Sequence, residues 1–128
     1  MADAVQQLRA ADVVMDAILK LTQADGFRVR ANPERGPRRS AFVNRAGDAL
    51  PDVDAPQVHY VDGVFSAYVR GGSKPVDPGI QWDDRSATWV GPLLATGQHR
   101  PAAAALVGAA LAVTSEADWA VLDKLFQQ

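Results

Sequence analysis

Arginine dominates the residues of this chain that could do chemistry. Arg28, Arg30, Arg35, Arg38, Arg39 and Arg45 lie between positions 28 and 45, where Glu34 is the one acid. A guanidinium offers a planar fork of donors that fits carboxylates and phosphates. The sign then reverses. Residues 46–62 hold Asp48, Asp52, Asp54 and Asp62 and no Lys or Arg. A basic segment followed directly by an acidic one allows one copy to grip the next, head to tail, in a ring or a filament. It equally allows docking on a foreign protein. Nucleic-acid recognition is the weaker expectation, because such sites interleave aromatics with the cations. Only Phe27 and Phe42 flank the basic segment. The plainest alternative is a solvated loop, or one neutralised by the chain's own aspartates.

The remaining polar clusters carry less. His59 and Ser66 face each other if Asp62-Gly63 is a hairpin turn, and a Ser–His–Asp set can be imagined. Asp62 is needed by that turn, however, and no nucleophile elbow or oxyanion loop is visible. Asp77, Asp83 and Asp84 lack the spacing of a calcium loop. His99 beside Arg100 reads as a linker residue. The Gly-Gly-Ser at 71–73 is followed by Lys74-Pro75, not by the Lys-Ser/Thr of a phosphate loop. The expectation is a protein that is not an enzyme and needs no cofactor or metal.

These residues must be positioned by a modest scaffold. A chain of 128 residues is one domain's worth, and its apolar content of 48% supports a globular core. There is no cysteine, so disulfides and thiolate metal sites are excluded. No apolar run has the length of a membrane span. The first residues carry Asp3 and Asp12 and no basic-then-apolar leader pattern, so a cytoplasmic protein, or a virion component, is expected. The net charge of −2 argues against a surface that coats nucleic acid.

The clearest folding signal is Gln57–Arg70, QVHYVDGVFSAYVR. Asp-Gly supplies the two positive-φ residues of a type I′ turn. Pairing then follows outward from the turn: Val61 with Val64, Tyr60 with Phe65, His59 with Ser66, Val58 with Ala67, Gln57 with Tyr68. Alternation puts Val58, Tyr60, Phe65, Ala67 and Val69 on a core face. The other face holds Gln57, His59, Val61, Val64, Ser66, Tyr68 and Arg70. It is too apolar to be simply solvated, and a loop, the N-terminal helix or another subunit is expected to cover it.

Around this hairpin the pattern predicts a helix over roughly residues 3–24, with Leu8, Ala11, Val14, Met15, Ile18 and Leu21 inward. Phe27–Arg30 reads as a short edge strand with Phe27 and Val29 inward, and Ala41–Val43 as another. Residues 80–90 read as a second hairpin. A turn at Asp83–Ser86 would set Trp82 against Ala87 and Ile80 against Trp89. Gly91–Arg100 reads as a linker. Pro101 opens an Ala-rich helix, and Ser115 with Asp118 caps a last one bearing Trp119, Leu122, Leu125 and Phe126.

The prediction is an α+β fold. A small antiparallel β-sheet of two hairpins and four to five strands carries an N-terminal helix and two C-terminal helices packed on one face. The expected function is a non-catalytic protein–protein interaction or assembly module, for which a phage or prophage ring or head–tail component is one model. The alternatives are binding of nucleic acid or a phosphate ligand through residues 28–45, or an inhibitor or immunity-type protein that docks on one partner.

Overall fold

In the computed structural model Asp62 and Gly63 have φ of 52° and 83°, the left-handed pair that a type I′ turn requires. The flanking strands pair in the register expected, Val61 with Val64 through Gln57 with Tyr68. Val58, Tyr60, Phe65 and Ala67 are all buried. The structure describes residues 4–32, 39–48, 50–51, 54–95 and 100–127.

The described elements are helix α1 (Ala4–Leu19), strands β1 (Phe27–Ala31), β2 (Arg39–Arg45), β3 (Gln57–Val61), β4 (Val64–Tyr68), β5 (Gln81–Asp83) and β6 (Thr88–Val90), and helices α2 (Pro92–Ala95), α3 (Ala102–Ala110) and α4 (Glu116–Leu125). Strands β1 to β4 form a four-stranded antiparallel sheet in sequence order. The fold is α+β, as predicted. The second hairpin does not extend the main sheet; β5 and β6 form their own two-stranded sheet.

Helix α1 stops at Leu19, short of the expected end. Asp25 explains the early stop. Its carboxylate accepts the Thr22 N–H at 3.0 Å and stabilises a separate 3₁₀ turn over Gln23–Asp25. Leu21 nevertheless remains in the core. The buried stripe of α1 is Ala11, Val14, Met15 and Ile18.

The second hairpin pairs two residues away from the expected register, because its turn sits one residue later. Trp82 faces Trp89 and Asp83 faces Thr88. The turn runs over Asp84–Ala87 instead of Asp83–Ser86. Asp83 fixes it by accepting the Ser86 N–H at 3.0 Å, and Ala87 completes it with φ of 53°. The hydrogen bonds to Ser86 hold the Asp83 carboxyl below its ordinary pKa. Trp89 then packs edge-on against Phe65, 4.7 Å between ring centres, and 5.0 Å from Trp82. This aromatic contact fastens the small sheet to the large one.

Residues 91–100 are not wholly a linker, since Pro92–Ala95 forms a single helical turn. Helix α3 is buried nearly all round, from Ala103 to Gly108 and at Ala110, which accounts for its small side chains. It packs on β3 and β4 and against α1, and α4 packs on α3. Ser115 caps α4 by accepting the Asp118 N–H at 3.1 Å. One core therefore joins α1, α3 and the inner faces of all four strands.

The two rims of the main sheet differ. Beyond β4, Ala67 and Val76 exchange both backbone hydrogen bonds, N–H to O distances of 3.0 and 2.6 Å. Among the described residues no strand lies outside β1.

Candidate interaction surface

Side chains alternate across a strand, and antiparallel partners share a face. The observed registers therefore assign every strand residue to one side of the sheet. Phe27, Val29, Ala41, Val43, Val58, Tyr60, Phe65 and Ala67 face the helices. Arg28, Arg30, Ser40, Phe42, Asn44, Gln57, His59, Val61, Val64, Ser66 and Tyr68 face away from them. No described helix packs on this second face, and no strand residue on it is acidic. In a chain of net charge −2, that is a local reversal of sign.

The face has a definite layout. One row across the sheet reads Arg30, Phe42, Gln57, Tyr68, and the next reads Ser40, His59, Ser66. The Arg30 guanidinium carbon lies 4.6 Å from the centre of the Phe42 ring, a cation–π contact that holds the charge over the sheet. The His59 and Tyr68 rings lie 4.9 Å apart. His59 Nε2 is 2.9 Å from Gln57 Oε1, so its bond runs along the strand, not across to Ser66. Val61 and Val64 form an apolar corner at the hairpin end, with Val64 61% exposed. Arg28 and Asn44 form the opposite corner. The N-terminal helix, one of the expected covers for this face, lies on the other side of the sheet.

The sequence-selected residues separate into groups. Arg28 and Arg30 are exposed on the helix-free face. Arg39 faces the helices and its Nε contacts the Asp12 carboxylate of α1 at 3.0 Å. Arg45 is exposed at the end of β2, and Asp48 sits in the following tight turn, its N–H bonded to the Arg45 carbonyl at 2.9 Å. Asp54 is exposed, and its carbonyl accepts the Gly71 N–H at 3.0 Å. Arg35, Arg38, Asp52 and His99 lie outside the described residues. The fold thus places Arg28 and Arg30 together and sends Arg39 and Arg45 to the other side.

Tyr68 lies half-buried on this face, where the hairpin alternation puts it, whereas Phe42, which was not selected from sequence, is buried beneath Arg30 at 7% exposure. Their signal is the alternation itself: once β2 is a strand, Phe42 must share a side with Arg28 and Arg30. Asp83 and Asp84 both serve the second hairpin. Asp84 accepts the Trp82 indole N–H at 2.9 Å. Among the described residues no three His, Asp or Glu side chains converge as a metal site, and no helix is long and apolar enough to cross a membrane.

A groove of about 480 Å³ runs beside β1, between the 3₁₀ turn and the end of β2, lined by Leu21, Thr22, Phe27, Val29, Asn44 and Leu50 among others. Asn44 Oδ1 is buried and has no hydrogen-bond partner among the described residues. Comparison of the chain with protein-family models, with curated proteins and with solved structures finds no match to any of them.

Proposed function

We propose that this chain is a non-catalytic protein–protein interaction module that docks through the helix-free face of its main sheet. One observation carries the reading. A four-stranded sheet normally buries one face and solvates the other with polar residues; here the second face carries Val61, Val64 and Tyr68 at one side and Arg28 and Arg30 at the other. Interfaces favour this mixture of aromatic, aliphatic and arginine side chains with few acids. A ring or head–tail virion subunit and an inhibitor or immunity-type protein with one partner would both use such a face.

The test is a photo-crosslinking residue at position 64 in the source cell, with position 13 on the exposed side of α1 as control. Both valines are well exposed, 61% and 69%. A discrete protein adduct from position 64 alone supports the reading; adducts from neither site, or from both equally, refute it. Light scattering of the isolated chain at two salt concentrations then separates self-assembly from docking on a foreign partner.

A second reading draws on the ring pairs. His59 with Tyr68, together with the exposed cations of Arg28 and Arg30, form an aromatic and cationic floor of the kind on which single-stranded nucleic acid stacks. Binding of an unstructured oligonucleotide at low salt, lost in Tyr68→Ala and falling steeply with added salt, would favour it over protein docking.

A further inference from the structure

We infer that the outer rim of β1 takes an extended, acidic segment of a protein partner as a fifth strand. This rests on the interaction-module reading and adds to it the mode and the chemistry of the partner. The argument begins with the backbone. β1 is bonded to β2 through its even-numbered residues, as the Asn32 N–H to Ser40 carbonyl bond of 3.1 Å and the Ala46 N–H to Gly26 carbonyl bond of 2.9 Å at its two ends show. The odd-numbered residues must therefore point their N–H and C=O groups outward. The Phe27 N–H is satisfied by the Thr22 carbonyl at 3.1 Å. Val29 and Ala31 have no such partner among the described residues. Two donors and two acceptors are thus presented in line along an open rim, a ready template for strand addition.

The groove beside β1 gives the new strand room, and Val29 lines its wall. Side-chain chemistry then selects the occupant. Residues of an added antiparallel strand that bond to Val29 and Ala31 point toward the helix layer, where Leu21, Phe27 and Leu50 line the groove. Residues opposite Arg28 and Arg30 point to the helix-free face. They occupy the non-hydrogen-bonded positions, where cross-strand side chains come closest. Carboxylates there would meet both guanidiniums. Asp48 also lines the groove; it lies past the end of β2, beyond Asn44, away from Arg30.

The same geometry disfavours a second copy of the chain. Pairing centred on Val29 would set Arg28 against the other copy's Arg30, and pairing Val29 with Ala31 would set Arg30 against Arg30. Like charges directly opposite destabilise a sheet. The partner strand should therefore alternate acidic and apolar residues.

The experiment uses a capped peptide of alternating Glu and Val, a block peptide of the same composition, an alternating Lys-Val peptide and an oligothymidylate, each titrated against the full chain by NMR with amide exchange. The alternating acidic peptide should bind best and slow exchange at Val29 and Ala31. Ala31→Pro removes an outward N–H that the sheet does not use, a change edge strands tolerate. It should weaken binding by roughly tenfold, the scale of one lost hydrogen bond, as should Arg28→Glu. Circular dichroism should show both variants folded. Equal binding of the Lys-Val peptide overturns the inference, as does oligothymidylate binding at these amides. So does acidic-peptide binding that Ala31→Pro leaves unchanged. That last result would still leave docking through the sheet face standing, whereas failure of the position-64 crosslink would remove that reading.

Discussion

Gly108 of α3 lies directly against the indole ring of Trp119 in α4, and a Cβ at position 108 would overlap that ring. The only residue without a Cβ lets the two helices close on each other. The glycine in this Ala-rich helix is therefore a packing requirement. Gly108→Ala gains helix propensity, which alone favours Ala by about 1 kcal/mol, yet overpacking here should cost about 1–3 kcal/mol. Net destabilisation in urea unfolding is expected. Combining it with Trp119→Leu should recover part of the loss, because two residues in contact do not add independently.

Ala112 offers a change in the opposite direction. After α3 the chain closes a Schellman motif, with the Val113 N–H on the Gly108 carbonyl at 2.9 Å and the Ala112 N–H on the Ala109 carbonyl at 3.2 Å. Ala112 takes φ of 55° to allow it, where glycine is the usual residue. An L-residue pays roughly 1–2 kcal/mol there, partly offset by glycine's greater freedom when unfolded. Ala112→Gly should stabilise the protein by about 0.5–1 kcal/mol, seen as a rise in Tm.

Arg100 is 6% exposed. Its Nε lies 3.0 Å from Asp123 Oδ1, and its guanidinium carbon lies 4.5 Å over the Trp119 ring. Removing one member of a buried pair strands the other. Arg100→Ala should cost about 3 kcal/mol, the lower part of the usual range, because Asp123 keeps some solvent. Arg100→Met with Asp123→Ala should cost less than Arg100→Ala alone. A larger loss in the double variant would show that the pair itself stabilises the C-terminal helices.

Tyr60 links stability to alkaline pH. Burial pushes its hydroxyl above the ordinary tyrosine value, and the Asp12 carboxylate pushes the same way; a hydrogen bond from Gln7 opposes them. The folded state thus prefers the neutral phenol. Its contribution is complete below the unfolded pKa of about 10 and is lost as pH rises through the folded value. Denaturation midpoints should fall in this alkaline window, and Tyr60→Phe should flatten the fall. Tyrosinate absorbance should report one hydroxyl titrating late in the native state.

The main hairpin was legible because Asp62-Gly63 fixes the turn type, and the turn fixes the register. The side of Arg28 and Arg30 was legible too, since they alternate with Phe27 and Val29. The second hairpin was legible as a hairpin but its register was not, because nothing in the type of residue at Ala87 announces a positive φ. There a side-chain bond from Asp83 chose the turn. The partner of Arg39 was hidden for another reason. Asp12 lies 27 positions away on a helix, and only folding brings the two together. The single turn at Pro92–Ala95 is too short to leave a periodic signal. The arginines from 28 to 45 looked like one patch in the chain. A strand divides its residues between two faces, and β1 and β2 set Arg28 and Arg30 on one and Arg39 and Arg45 on the other.

The bond pair between Ala67 and Val76 has a consequence for stoichiometry. It engages the β4 rim at Ala67, so an incoming strand there would have to displace Val76, whereas among the described residues no strand lies outside β1. Strand addition by the proposed route is therefore expected at β1 in preference to β4, with one guest per chain.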